Sequence, residues 1–397
     1  MPRFSAFPGL RYATDDLTAV TAPPYDVIDA GERAELAARH PHNVVHIDLP
    51  VADGPEDPYA GAAATFTAWQ RDGVLTEDEP SLYPYRMTFT DENGATRQTL
   101  GVLGALGIRP DERADILPHE HTTPKAKSDR LRLLQATRAN LSAVWGLSLT
   151  PGLTGRLDLG AAQTLGDWTD GEGVRHELWR LSEPAAVRAV TDAVSANPVV
   201  IADGHHRYET CSQYAVEAGS PAGAGATLCL VVELDEKQLT VAPIHRLIAG
   251  LPDGTDLVSA LGRYFTAGDL EPFPDATVVD RLISSGALAL VTPDGLRLLR
   301  PDDAALQAAG AEGGASMLDS VRVATAAADL PPHELTYQHG VAHAVAAVRD
   351  GRAQAALLIR PVSVEQIRLT AYARGRMPPK STFFWPKPRT GPVLRSL

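Results

Sequence analysis

The sequence predicts a mixed α/β protein. Strand-like runs alternate with stretches at helical spacing along all 397 residues. No segment recurs at the period of roughly 20 to 50 residues that marks repeat architectures. The apolar run Pro198 to Ile201 leads through Asp203-Gly204 into a stretch in which Tyr208, Cys211, Ala215 and Val216 recur at helical spacing, a strand, tight turn and amphipathic helix in succession.

Taken in order, the first third carries a turn-rich TAPPYDVI segment (21–28), a helix over Gly31 to Arg39 and a strand-like run from Asn43 to Leu49. A helix over Pro58 to Arg71 follows, then a hairpin around Asp91 to Gly94 between YPYRMTFT and ATRQTLGVLGAL, which together read as one sheet. The middle holds a Lys/Arg-rich helical stretch, Pro124 to Asn140, then the strand-turn-helix unit and two strands, ATLCLVVEL and LTVAPIHRL. A second hairpin sits at Pro293 to Gly295 between ALALV and LRLLR, and Ala304 to Ala315 reads as a linker. A helix near Val341 to Arg349, the strand QAALLIR, a helix from Val364 and an irregular tail GRMPPKSTFFWPKPRTG close the chain. The expected organisation is a main α/β domain over 1–305 and a C-terminal α/β segment, 306–397, packing back on it.

Hydrophobic residues make up 44% and charged residues 21%, ordinary usage for a folded soluble chain. The formal net charge of −13 argues against generic nucleic-acid or anionic-membrane binding, so any site for a polyanion must be a local basic pocket. Two cysteines, Cys211 and Cys229, make no C-x-x-C pair and no disulfide framework. With no apolar run long enough to span a membrane and no signal-peptide core in MPRFSAFPGLRY, the expected location is cytoplasmic. Lysine is scarce: of Lys125, Lys127, Lys237, Lys380 and Lys387, all but Lys237 fall in two short segments, where a compact phosphate contact is one use for them.

The densest polar signal is Asp203-Gly204-His205-His206-Arg207-Tyr208-Glu209. A glycine lets the backbone turn sharply and approach a ligand, and the following helix N-terminus offers free N–H groups and a positive dipole end. His206 and Arg207 complete an anion cradle, and Asp203 is placed to hold a magnesium ion, a substrate hydroxyl or the helix cap. The plain alternative is an N-capping Asp with surface-facing His and Arg.

A second signal is Leu117-Pro118-His119-Glu120-His121-Thr122, followed by Lys125, Lys127, Asp129, Arg130 and Arg132. In extended chain His119 and His121 share one face and Glu120 takes the other. Glu120 suits a general base for an alcohol, and Lys127 or Arg130 a phosphate contact. The alternative is a solvated basic helix behind a polar loop. A metal reading would join His119 and His121 to His205 or His206, without any H-E-x-x-H or Cys/His spacing to support it. Gly375 to Thr382 is not a P-loop, because Pro379 stands where the glycine before Lys380 belongs and proline has no N–H to give a phosphate. Lys380 can still reach a site from that proline-stiffened loop. G-x-G-x-x-G after a strand and G-x-S-x-G are both absent.

These residues carry two resemblances. Over nearly the whole chain, APPYDVI (22–28), HNVVHIDLP (42–50), LPHEHT with K-x-D-R-L-x-L-L (117–134), ADGHHRYET (202–210), PIHRL (243–247) and MPPKSTFF (377–384) resemble the domain of unknown function 1015 family, a label that supplies no chemistry. Locally, DGHHR (203–207) is similar to the nucleotide-binding motif of the ParB/sulfiredoxin-like superfamily, whose free serine kinases carry DGHHR and whose sulfiredoxins carry GCHR. That resemblance implies a ParB/sulfiredoxin-like nucleotide-binding core with elaborations, and places His206 and Arg207 at nucleotide phosphate. The catalytic cysteine of sulfiredoxins corresponds to His205, which sets sulfinic-acid reduction aside.

The expected function is therefore a phosphotransferase using ATP or ADP with Mg2+ on a small hydroxyl compound, free L-serine foremost. Its expected catalytic residues are Glu120, Asp203 and His205, with Asp203 as the metal ligand. Gly204, His206, Arg207, His119, Lys127, Arg130 and Lys380 are expected at nucleotide and phosphate, and Tyr25, Asp26, Glu209 and His245 at substrate. A metal-dependent hydrolase and a nucleotide-binding regulator without turnover remain open alternatives.

Overall fold

A computed structural model of the protein describes residues 1–14, 16–52, 57–91, 94–118, 127–217, 223–311 and 317–397, without the side chains of residues 127 and 128. The chain divides into two compact units: Met1–Asp91, Thr96–Leu239 and Pro386–Leu397 belong to one, and Thr240–Trp385 makes up the body of the other. The division expected near residue 305 falls inside the helix Asp303–Ala308 of the second unit. Where the sequence suggested a linker, Asp302 caps this helix by accepting the Ala305 amide at 3.0 Å, and Leu306 is buried; residues 312–316 lie outside the described residues.

The first unit is built on a mixed sheet of nine described strands. From one edge the order is Ile116–Pro118, Val199–Asp203, Val144–Ser148, Ala226–Glu233, Thr96–Gly107, Tyr83–Thr90, Arg175–Arg180 and Gln163–Thr169, while Phe4–Ser5 pairs on Thr96–Gly107. Two pairings are parallel, Val199–Asp203 with Ile116–Pro118 and Ala226–Glu233 with Val144–Ser148. The central strands are buried apolar runs, with Val144, Val199, Ile201 and Val231 in one core. That is the pattern of strands covered on both faces. A side chain at Gly104 would overlap the Phe4 ring, so a bare backbone is what lets the N-terminal strand close down here.

The helix His205–Glu217 packs on this sheet, and Pro58–Arg71 packs on the helix Lys127–Thr137. Pro58–Arg71 matches its sequence-read limits, since Asp57 accepts the Tyr59 amide and Pro58 occupies the first turn, where its missing N–H costs nothing. It buries Ala62, Phe66 and Trp69. The helix His205–Glu217 seats Tyr208, Cys211, Tyr214 and Ala215 in the core, whereas Val216 is exposed and Tyr214 takes its place in the apolar stripe.

Some expectations are corrected. The run Asn43–Leu49 is not a strand but contains the short helix Val45–Asp48. Asn43 sets it up: its Nδ2 donates to the Ala19 and Thr21 carbonyls at 2.8 and 3.2 Å, while its Oδ1 accepts the Val45 amide at 3.0 Å. A short apolar run buried on all sides carries no periodicity to separate helix from strand. The basic helix is described from Lys127 and ends at Thr137, not at Asn140, because Arg138 takes φ +49° and the chain then pairs Ala139–Asn140 with Arg395–Ser396; residues 124–126 lie outside the described residues. The closing segment is also less irregular than expected, since Phe383–Trp385 pairs with Thr240–Ala242.

The second unit holds a six-stranded antiparallel sheet in the order Phe265–Ala267, Gly295–Pro301, Leu288–Thr292, Ala355–Leu358, Ile244–Ala249 and Glu334–His339. Alternation splits its strands between two cores: Leu288, Leu290 and Leu357 face one, and Ala289, Val291 and Leu358 the other. Among the described residues of the chain, no helix is long and apolar enough to cross a membrane.

Candidate functional site

The site forms where the buried strand Val199–Asp203 leaves the sheet. Its register against Val144–Ser148 shifts between Ile201 and Asp203, so Asp203 lies opposite Trp145. A shift of this kind re-aims the strand end. Gly204 then takes φ +80°, and a Cβ there would lie 2.8 Å from Arg207 Nε, so both the turn and the folded-back guanidinium require glycine. The 13-residue helix His205–Glu217 starts at once, its first backbone bond running from the Tyr208 amide to the Gly204 carbonyl at 2.9 Å. Amides of a first helical turn have no acceptor within the helix and face outward.

Charged side chains converge on this turn. Arg207 is buried; its Nη2 donates to Asp203 Oδ2 at 2.8 Å and its Nη1 to the Ala143 carbonyl. Lys387, from the C-terminal segment, donates to Asp203 Oδ1. Burial alone would raise the Asp203 pKa, but Lys387 and Arg207 outweigh it and hold the carboxyl at about 2. Burial likewise works against charge on Arg207, and Asp203, Asp26, Tyr25 and Asp48 more than restore it, holding its pKa above the usual value.

A third cation lies beside them. Arg130 is buried on the helix Lys127–Thr137, with its Nη1 donating to the Asp48 carbonyl at 2.8 Å and to Asp48 Oδ1 at 3.3 Å, its Nε to Asp129 at 2.8 Å, and its guanidinium 4.3 Å from the centre of the Tyr25 ring. Burial raises the Asp48 pKa against the pull of Arg130 and Arg207, and raises that of Tyr25. Asp48, Arg130, Asn140, Arg207, Thr210 and Cys211 help to line a cavity of about 50 Å³. Small-molecule sites commonly exceed ~300 Å³, so this cavity suits a small group, not a whole nucleotide.

The structure therefore brings together Tyr25, Asp26, Arg130, Asp203, Gly204 and Arg207, with His205 and His206 in the first helical turn and Glu209 just beyond, all three partly buried. His119, Glu120, His121 and Lys125 lie outside the described residues, as does the side chain of Lys127. The described ends of that segment are both at the site: Pro118 pairs with Ile201, and Arg130 lies in the cluster. His245 and Lys380 belong to the second unit. His245 is buried with its Nδ1 accepting the Ile359 amide at 3.3 Å, and burial pushes its pKa down to about 4. Lys380 is exposed at φ +60°, its carbonyl accepting from Arg246 at 3.0 Å. Among the described residues no three His, Cys, Asp or Glu side chains gather as a metal site.

The model of a protein family described as "Protein of unknown function (DUF1015)" matches residues 4–319. The chain belongs to this DUF1015 family. No curated protein matches it. Among solved structures it is similar to a conserved hypothetical protein from Pyrococcus furiosus, at 11% identity and TM-score 0.36 over 74% of this chain and 93% of that one. It is similar to a free serine kinase in complex with AMP, at 14% identity and TM-score 0.39 over 75% and 91% of the two chains. A third is SbnI with a C-terminal truncation from Staphylococcus aureus, at 12% identity and TM-score 0.40 over 73% and 85%.

Two members of the site in this DUF1015 protein were not singled out from the sequence. Lys387 had a signal, the clustering of rare lysines, but shares its segment with Lys380. Asp48, like Tyr25 and Asp26, stands out only as a polar residue beside a strand-like run, for which structural hydrogen bonding is the plain reading; HNVVHIDLP reads as a strand, whereas its helix turns Asp48 onto Arg130.

Proposed function

We propose that this protein is a nucleotide-dependent phosphotransferase that moves the terminal phosphoryl group of ATP or ADP to a small hydroxyl compound, free L-serine being the acceptor chemistry favoured. The carrying observation is the convergence of Arg207 and Lys387 on Asp203, where a strand end, a positive-φ glycine and a helix N-terminus meet, with Arg130 lining the same cavity as Arg207. Phosphoryl transfer asks a protein chiefly for positioning and charge neutralisation, and this turn supplies both. The DGHHR motif supports the same reading.

In this reading the amides after Gly204 and the side chain of His206 take the phosphates, while Arg207, Lys387 and Arg130 offset the charge that develops on the transferring group. His205, beside Asp203 at the helix start, faces the reacting end, and Glu120 accepts the acceptor's proton as its oxygen bonds to phosphorus and the bond to the departing nucleotide breaks. Lys127 and His119 add phosphate contacts. Tyr25, Asp26 and Glu209 bound the acceptor. Magnesium, when it accompanies the nucleotide, neutralises phosphate charge; Asp203 does not fit as its ligand in this arrangement, since its two oxygens accept from Arg207 and Lys387. The charge assignment is therefore placed on the three cations.

The test is product formation. Purified protein with ATP or ADP and a panel of hydroxy amino acids is expected to yield a phosphorylated acceptor, read by phosphorus NMR, and Glu120→Gln to slow it with nucleotide affinity retained. Bound nucleotide with no phosphorylated product from any acceptor would leave a regulator, not a kinase.

A further inference from the structure

A buried polar chain lies behind Lys387. Tyr85 and His176 sit on adjacent antiparallel strands, where Tyr85 pairs with Leu178, so Tyr85 and His176 are diagonal neighbours on one face. Tyr85 Oη lies 2.7 Å from His176 Nδ1, and His176 Nε2 lies 3.0 Å from Asp170 Oδ2. The imidazole forms a three-ring cluster with Tyr85 and Trp168, centroids 5.8 and 5.2 Å from its own and 6.3 Å from each other. Asp170 is itself fixed, its Oδ1 accepting the Glu172 and Val174 amides at 2.9 and 3.0 Å. Burial lowers the His176 pKa against the pull of Asp170. A neutral ring donating from Nε2 to Asp170 must accept at Nδ1 from Tyr85, which leaves the tyrosine oxygen to accept the Arg389 amide at 3.3 Å. The Arg389 guanidinium also reaches Asp170 at 3.5 Å.

Arg389 is two residues from Lys387. The strand carrying Tyr85 stands four places from Val199–Asp203 in the sheet, roughly 19 Å at ~4.8 Å per strand. The C-terminal segment thus carries Lys387 toward a turn that the relay itself does not touch. Other anchors exist, the Arg389 side chain on the Thr21 carbonyl at 3.4 Å and the Ala22–Thr390 and Leu10–Leu394 backbone pairs, but among the described residues the bond to Tyr85 is the backbone anchor nearest Lys387 on its C-terminal side.

We infer that Tyr85, His176 and Asp170 are positioning residues, a hydrogen-bonded relay that seats Arg389 and so sets Lys387 against Asp203 at the phosphate-binding turn. The job given to Lys387 rests on the nucleotide reading, whereas the placement of Lys387 does not. The relay's effect is on where the lysine stands, so lost thermal stability alone does not measure it.

The experiment is NMR of the protein labelled with 15N-lysine, without nucleotide. Only five lysines contribute, and Lys387→Arg assigns the signal of interest. In the wild type the Lys387 ammonium, paired with Asp203, gives a protected signal that Asp203→Asn abolishes. Tyr85→Phe, which keeps the ring and its stacking, is expected to shift or abolish the same signal and leave that of Lys237 in place, and to speed amide exchange around Arg389 about tenfold, as loss of one buried hydrogen bond does. Asp170→Asn provides a second variant should Tyr85→Phe fold poorly, with the same expectation. A Lys387 signal at its wild-type position in both variants overturns the inference, whatever the melting temperatures. Because no nucleotide is present, that failure is distinct from an absence of nucleotide binding.

Discussion

Replacing Asp203 by Asn keeps the shape of the side chain and removes the charge that Arg207 and Lys387 share. Burial works to raise the Asp203 pKa, and the two cations bring it down to about 2 from 3.8. With the carboxylate 16% exposed, solvent screening discounts this little. A depression of just under two units at ~1.4 kcal/mol per unit is worth roughly 2 to 3 kcal/mol. Since the folded-state pKa is the lower one, this stability is fully present above the unfolded-state pKa near 4 and is lost as pH falls through about 2. The expected result is that Asp203→Asn loses roughly 2 to 3 kcal/mol at pH 7, and that the deficit shrinks toward zero as the pH is taken from about 5 to about 2. Urea unfolding followed by tryptophan fluorescence suits the question, because Trp69, Trp145, Trp168 and Trp179 report on the first unit and only Trp385 on the second. A variant as stable as the wild type at neutral pH, or a deficit that stays constant into acid, would refute the reasoning.

Two shorter expectations concern the same unit. Gly204→Ala forces a Cβ into φ +80° and to within 2.8 Å of Arg207 Nε; a loss of roughly 1 to 2 kcal/mol is expected from the backbone alone, with weakened nucleotide binding by calorimetry, and unchanged binding would remove the turn from the site. Cys211 and Cys229 are both buried, burial pushing the Cys229 thiol up to about 12 and raising that of Cys211; a thiol reagent added to native protein is expected to label neither until unfolding, and rapid labelling of one would contradict the packing of the helix His205–Glu217 on the sheet.

What the sequence made legible was local. The helix Pro58–Arg71 announces itself by an Asp cap and a proline in its first turn, and the strand-turn-helix at Val199–Glu217 by an apolar run, a glycine and helical spacing. The hairpin at Pro293 to Gly295 is equally local, with Thr292 pairing with Gly295. The features that escaped are joined through distant chain. Nothing near Pro386–Leu397 says that it returns to the first unit, yet that return places Lys387 on Asp203 and Arg395 beside Asn140. The helical turn at Val45–Asp48 is dictated by hydrogen bonds from Asn43 to Ala19 and Thr21, residues more than 20 positions away. Asp48 enters the site only because of that turn. By contrast Arg130, Asp203 and Arg207 stand in dense local polar motifs, Tyr25 and Asp26 beside a strand-like run, and the fold gathers them.

The central claim, that the turn Asp203 to Arg207 binds nucleotide phosphate, is tested most directly by thermal unfolding of the wild type and of Arg207→Ala against ADP and ATP, with and without magnesium. At about 100 times the dissociation constant the wild type is expected to gain ~2.7 kcal/mol. Arg207→Ala, verified as folded by circular dichroism, is expected to lose most of that gain. No stabilisation of the wild type by any nucleotide, or equal stabilisation of both proteins, would contradict the claim.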